Sequence, residues 1–243
     1  MTDIATLPKK APEYDLTTLL EAGCHFGHQK RKWHPKMKPF IYMEKDGVHI
    51  FDLEKTATQL QLAYNYAYEL GKTGKTMIMV GTKRQIKDVV KATAKNAGLF
   101  YMTSRWLGGL LTNWDQVRLS IKRMVEIETG LKTDKFKGYT KYERNQLEKE
   151  LSRLERFFDG VRDLKTKPDC IFVVDPAREK NAVAEAAKME VPVMALADSN
   201  ADPSLISAVV IPANDDAVKS VELIVNEIAA AYVAGRDGAK TVK

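Results

Sequence analysis

The chain has 243 residues, 44% of them hydrophobic and 29% charged, which excludes collagen-like, mucin-like and wholly disordered classes. At roughly one and a half times a usual domain length, it calls for one large α/β domain or a domain carrying an insertion. The formal charge of +6 is unevenly spread: residues 1–167 hold 31 Lys/Arg against 20 Asp/Glu, whereas residues 168–243 hold 7 against 12, so a polyanionic partner is expected for the first part only.

No apolar run approaches the roughly 18 to 20 residues of a bilayer crossing, and the stretch from Met1 to Lys10 lacks the apolar region of a secretory signal. Two cysteines, Cys24 and Cys170, cannot build a disulfide framework. The expected setting is a reduced cytoplasm, with no membrane partner.

After an N-terminal extension (1–15), Leu16 to Ala22 predicts a short helix. Cys24, His25 and His28, with His34 and His49 nearby, are spaced closely enough to suggest metal ligands. No second pair of the CxxC or HxxxH kind accompanies them, so no metal site is assigned and a loop with imidazoles bonded to backbone or phosphate is the simpler reading. The densest cationic segment follows, Gln29 to Phe40 (QKRKWHPKMKPF), with Lys30, Arg31, Lys32, Lys36 and Lys38, no acid, and Trp33 and His34 inside it. Pro35 and Pro39 block an α-helix, so an extended loop is expected, suited to following a phosphate backbone while a ring packs against sugar or base. Phe40 to Met43 and Val48 to Phe51 predict a hairpin about Lys45-Asp46-Gly47, and Asp52 caps a helix to Leu70.

From there, short apolar runs alternate with helix-period segments, the pattern of a parallel sheet covered by helices. Thr76 to Val80 (TMIMV) is the first such strand, followed by a helix that Gly98 closes and a strand near Leu99 to Met102. Gly74-Lys75-Thr76 resembles the end of a phosphate-binding loop, but Glu69 stands where a glycine is needed, and the GKT precedes a strand instead of a helix. Lys83, Arg84 and Lys87 open the helix after this strand, where backbone amides add to the attraction for phosphate.

Residues 105–167 change character, with Trp114, Val117, Ile121, Met124 and Leu131, and then Leu147, Leu151, Leu154, Phe158 and Val161, at heptad spacing. The two helices can bury each other as an antiparallel coiled-coil hairpin inserted in the α/β domain (1–104 and 168–243). Its connection carries Lys132, Lys135, Lys137 and Lys141, a basic tip that reads equally as a docking point or as solvated lysines. Beyond it come strands Cys170 to Val174, Val193 to Ala197 and Ala208 to Ile211, a helix from Glu179 to Met189, and a last helix from Asp215 or Asp216 to Gly235 capped by Asn214. The expected fold class is α/β: a doubly wound, flavodoxin- or Rossmann-like parallel sheet with helices on both faces, plus the inserted hairpin.

Asp175, Asp198 and Asp202 follow strands, where open α/β sheets place catalytic groups, and with Lys83 or Arg84 they make the case for an enzyme acting on a phosphorylated small molecule. Each lies in a turn-forming sequence (VDPAR, ADSNADP), where Asp caps backbone donors, and no GxSxG, HExxH or Gly-rich dinucleotide loop accompanies them. The favoured reading is therefore non-enzymatic, with no cofactor, no small-molecule substrate and nucleic acid as the partner.

Several blocks carry a specific resemblance: Ala22 to Met37 (AGCHFGHQKRKWHPKM), Gly47 to Thr56, Val80 to Gln85, Ser104 to Asn113 (SRWLGGLLTN) and Val191 to Ala217. In content and order they resemble the bacterial ribosomal protein S two family. The resemblance implies a structural constituent of the small subunit at the head–body junction. It also implies contacts with ribosomal RNA and neighbouring ribosomal proteins, and a role in holding the mRNA-binding ribosomal protein S one. Phosphate contacts are expected at Lys30, Arg31, Lys32, Lys36, Lys38, Lys83, Arg84 and Arg105, with Trp33, His34 and the hairpin-tip lysines as further RNA-binding residues. Trp106 and Leu107 are expected to anchor the hairpin, and the acidic C-terminal part is expected to be the protein-facing side.

Overall fold

The computed structural model describes residue 7 and residues 9–241; the readings placed on residues 1–6 and 8, including that of a missing secretory signal, lie in part outside the described residues. In chain order the elements are α1 (Leu16–Glu21), β1 (Phe26–Gln29), β2 (Ile41–Lys45), β3 (Val48–Phe51), α2 (Leu53–Lys72), β4 (Met77–Val80), α3 (Lys87–Ala97) and β5 (Phe100–Met102). Then follow α4 (Trp114–Lys132), α5 (Lys141–Phe158), β6 (Cys170–Val174), α6 (Lys180–Lys188), β7 (Val193–Ala197), β8 (Val209–Pro212) and α7 (Val218–Thr241).

Five parallel strands form the main sheet in the order β5-β4-β6-β7-β8. The chain starts inside the sheet, steps outward once and then winds the other way, so the order reverses between β4 and β6. Strand periodicity divides the core in two. Met77, Met79, Phe172, Val174, Met194 and Leu196 point to the layer of α2, α3 and α7. Ile78, Val80, Ile171, Val173, Val193 and Ala195 point to the layer of α6, Trp106, Leu110 and α4. Helices on both faces thus match the expected α/β class, and the near-continuous apolar strands are the direct consequence of covering both faces.

A second sheet, antiparallel in the order β1-β3-β2, adds what the sequence reading lacked: Phe26–Gln29 is a strand where a loop is expected. Its polar, histidine-bearing sequence carries no strand periodicity, and tertiary pairing with Val48–Phe51 decides its conformation. Asp46 and Gly47 turn the hairpin with φ of 53° and 75°. At the other end of the chain the expected start is corrected: α7 begins at Val218, and Asn214 closes the turn before it by accepting from the amides of Asp216 and Ala217, so Asp215 and Asp216 are not part of the helix.

The first-layer helices α2 and α7 pack closely along their length, and they approach through glycines. A Cβ at Gly71 would stand 2.0 Å from the Tyr232 carbonyl oxygen, and one at Gly235 would stand 2.0 Å from the Tyr68 carbonyl oxygen. On the other face, α4 and α5 lie against each other, bridged by Arg123 with Glu150, while Glu128 on α4 pairs with Arg162, beyond the end of α5. The apolar stripe of α4 runs through Trp114, Val117, Ile121, Met124, Ile127 and Gly130. The expected last position, Leu131, is corrected: the buried stripe ends through Ile127 and Gly130, one residue earlier than heptad spacing would place it, and Glu128 lies at its edge, where it pairs with Arg162.

The loop leading into α4 is held by one carboxylate. Glu185 on α6 accepts hydrogen bonds from Trp106 Nε1 (3.1 Å) and from the backbone amides of Gly109 (2.8 Å) and Leu111 (3.1 Å). A single side chain therefore pins the SRWLGGLLTN segment to α6, where Trp106, Leu110 and Leu111 are buried and Leu107 is half-buried.

Gly71→Ala is expected to cost about 1–3 kcal/mol, the usual penalty of overpacking a close helix contact. Gly138→Ala, with no atom within 4 Å of its added Cβ, should be near neutral. Chemical denaturation of the two variants checks the difference.

Candidate nucleic-acid interface

The basic segment after β1 is compact where an extended loop is expected. It forms two 3-10 turns, Lys30–Lys32 and Pro35–Phe40, short pieces of the kind that proline tolerates at the first turn. His34 accepts from the Lys36 amide, closing the second turn's start. Met37 is fully buried against Phe51, Ala197 and Ala201, and the His34 amide donates to the Ser199 carbonyl at 2.7 Å. The fold thus nails this segment to the ends of the parallel strands and turns Lys30, Arg31, Lys32, Lys36 and Lys38 to solvent.

These cations are lightly engaged. Lys30 reaches Glu44 at 2.7 Å, and the Arg31 Nε donates to Gln29, both in exposed settings where pairing contributes little. Lys36 bridges Asp202 (3.0 Å) and Ser204 (2.6 Å). Partial burial would raise the Asp202 carboxyl, yet Ser204 and Lys36 hold it down at about 2. Trp33 is half-buried with its ring 5.0 Å from that of His49, so the hairpin already occupies part of its surface. Arg84 and Arg105 are exposed.

At the α4–α5 connection, Phe136 is buried over Gly130, whose Cβ-free position it fills, and Tyr139 packs beside it with ring centroids 5.0 Å apart. Lys132 pairs with Glu128 at 2.5 Å, Lys135 lies 5.9 Å over the Phe136 ring, and Lys137 and Lys141 are exposed. This connection is a folded turn with cations around an aromatic pair.

Lys83 does not join this exposed set. It is buried, with its Nζ 2.6 Å from Asp215, 2.7 Å from Asp216 and 2.9 Å from Asp175. Burial alone would lower the Lys83 pKa, but the three carboxylates raise it well above the ordinary lysine range. The expected phosphate contact at Lys83 is therefore corrected: its ammonium is the counter-ion of internal carboxylates. Asp175 and Lys83, candidates for the enzyme reading, are locked to each other.

The cluster extends to β1. His28 Nδ1 lies 2.9 Å from Asp198, whose other oxygen accepts from the His28 amide at 2.9 Å, while His28 Nε2 faces Asp216 at 3.6 Å. The bond to Asp198 raises the His28 pKa against the opposing effect of burial. Asp215 is fully buried, its Oδ2 has no hydrogen-bond partner, and burial with Asp175 and Asp198 nearby pushes its carboxyl up to about 8. His28, Asp198 and Asp215 offer ligand atoms within 4.8 Å of one another, the group among the described residues that has the donor set to hold a cation. Cys24 takes no part: it is buried, and burial pushes its thiol up. Asp202 caps the Pro203–Leu205 turn through the Ser204 amide, the role its sequence context predicts.

Asp215 has a folded pKa above its unfolded value, so the folded state binds the extra proton and stability falls as pH rises from about 4 to about 8. Asp215→Asn should flatten that slope by up to about 1.4 kcal/mol per pH unit, measured as denaturation midpoints across the range. Lys83→Met, which strands the carboxylates, should cost about 3–5 kcal/mol.

A protein-family profile described as Ribosomal protein S2 matches residues 19–235. The small ribosomal subunit protein uS2 of Dictyoglomus thermophilum is 46% identical over 219 residues, covering 90% of this chain and 89% of that protein. Its counterpart from Coprothermobacter proteolyticus is 45% identical over 223 residues, covering 92% and 83%. With the profile spanning the doubly wound sheet, the basic segment and both α4 and α5, the chain belongs to the ribosomal protein S2 family of the small ribosomal subunit.

Proposed function

We propose that the chain is a cytoplasmic, non-enzymatic constituent of the small subunit that binds ribosomal RNA at the head–body junction and helps hold ribosomal protein S one. The observation that carries the RNA reading is the basic segment 29–40, anchored by buried Met37 yet exposing Lys30, Arg31, Lys32, Lys36 and Lys38. An ordered row of cations loses less conformational freedom on meeting phosphates than a flexible tail does. Arg84 and Arg105 extend the set, and Lys83 leaves it. Trp33 and His34 contribute through the ring faces that His49 and Asp202 leave open.

Residues 105–167 are read as an antiparallel coiled-coil hairpin inserted into the α/β domain formed by 1–104 and 168–243, with Lys132, Lys135, Lys137 and Lys141 giving RNA contacts at its tip. The acidic part of the chain is a narrower protein-facing side than its composition suggests. Asp175, Glu179, Asp198 and Asp215 are buried, so the surface charge for partners such as protein S one falls to residues such as Glu190 and Glu222.

Replacing Lys30, Arg31 and Lys32 by Glu should weaken incorporation into small subunits, seen by sucrose-gradient sedimentation of lysate. The salt dependence of the binding that remains should be shallower, its logarithmic slope falling by about one for each phosphate no longer neutralised. Unchanged incorporation would remove the segment from the RNA interface. Glu190→Lys with Glu222→Lys should release protein S one from otherwise intact subunits, and retention of it would move its attachment elsewhere.

A further inference from the structure

The reversal of strand order between β4 and β6 creates a crevice at the carboxyl ends of these strands, the position where open α/β sheets characteristically take ligands. It is closed on its third side by the loop after β5. The cavity has a volume of about 540 Å³, and its lining includes Thr82, Arg105, Trp106, Arg178, Glu179 and Asn181. That volume lies within the range of small-molecule sites and exceeds what a bare anion fills.

The polar groups in the crevice are arranged, not scattered. Thr82 Oγ1 donates to the buried Glu179 carboxylate and accepts from Arg178 Nε at 3.2 Å, so a buried acid orients a hydroxyl that in turn fixes the guanidinium. Among the described residues, the terminal nitrogens of Arg178 and all nitrogens of Arg105 have no acceptor. Two forked, always charged donors thus line one cavity with their donors free, the geometry that suits the tetrahedral oxygens of phosphate. The first turn of α6, which begins at Lys180, reaches the same cavity through Asn181, adding the positive end of that helix. Burial pushes the Glu179 carboxyl above its ordinary range, and the Thr82 hydroxyl that donates to it acts the other way.

We propose that this crevice binds a phosphate group, with Arg105 and Arg178 as its ligands and Thr82 and Glu179 as positioning residues. The phosphate has two sources, a phosphodiester of an RNA strand and a free nucleotide, and the cavity volume leaves room for the attached sugar in either case. The inference shares Arg105 with the RNA reading above but does not depend on the segment 29–40.

The test follows backbone amide signals of Thr82, Gly108 and Arg178 in the full chain by NMR, titrating inorganic pyrophosphate, adenosine monophosphate and a small-subunit ribosomal RNA fragment in turn. The expected result is that these signals move and that Arg178→Ala weakens binding about ten- to hundredfold, the size of a lost charge-assisted hydrogen bond. Arg178→Lys should recover part of the loss. Movement with RNA alone identifies a phosphodiester; movement with pyrophosphate or adenosine monophosphate identifies a free nucleotide site. No movement with any probe, or equal binding by a folded Arg178→Ala, overturns the proposal. The Lys30, Arg31 and Lys32 charge reversal in the same titration separates the two readings, since it should leave pyrophosphate binding at the crevice unchanged while reducing RNA affinity.

Discussion

The buried ammonium of Lys83 is the interaction on which the rest of the arrangement depends. It stands just past the end of β4 and binds Asp175, just past β6, and Asp215 and Asp216, just past β8. Three strand ends that are distant in sequence are therefore tied by one cation. A buried charge is tolerated only when it is paired and hydrogen-bonded, and here the pairing is many-sided. Asp198, past β7, continues the network to His28 on β1, so the small antiparallel sheet is docked on the carboxyl ends of the large one through the same set of charges. The basic segment 29–40 follows directly from β1, and its position on the molecule is inherited from that docking.

Burial also sorts the charges that composition leaves mixed. The acidic excess of residues 168–243 and the basic excess before them are partly used against each other inside the protein, as Lys83 with Asp175 and Asp215 shows. Among the described residues, what remains outside keeps nearly all of the basic excess, which gives up only Lys83, and a thinner acidic one, which gives up Asp175, Glu179, Asp198 and Asp215. Lys30, Arg31, Lys32 and Lys38 keep their exposure because Met37, between them, supplies the anchor that a charged residue would otherwise have to provide. Alternating an apolar anchor with charges is what makes the segment both ordered and cationic.

The parallel strands were legible because they are buried on both faces and read as continuous apolar runs; Cys170–Val174 and Val193–Ala197 need no correction. The helix ends marked by Asp52 and Gly98 were legible for the same local reason, a cap whose chemistry is confined to a few neighbouring residues. What was not legible is non-local. Strand β1 has no periodicity of its own and is made by its partner β3. Lys83 and Arg84 are adjacent and identical in charge, and only the approach of three carboxylates, the nearest more than ninety residues away in sequence, separates the buried one from the exposed one. Arg178 and Glu185 had no motif to mark them, since the first matters through a cavity and the second through amides of a loop that precedes it by over seventy residues.

These two residues bracket the first turns of α6, and together they explain why the loop after β5 has a fixed course. Glu185 accepts from the amides of Gly109 and Leu111 and from the indole of Trp106, which ties the segment leading into α4 to α6. Arg105, immediately before Trp106, lines the same crevice as Arg178. One hydrogen-bonded carboxylate thus holds the residues on both sides of the crevice's loop wall. A side chain without an acceptor at position 185, such as alanine, would leave the amides of Gly109 and Leu111 and the Trp106 indole unpaired, a loss of about 1–3 kcal/mol for each buried donor, while the apolar burial of Trp106, Leu110 and Leu111 would still hold the loop.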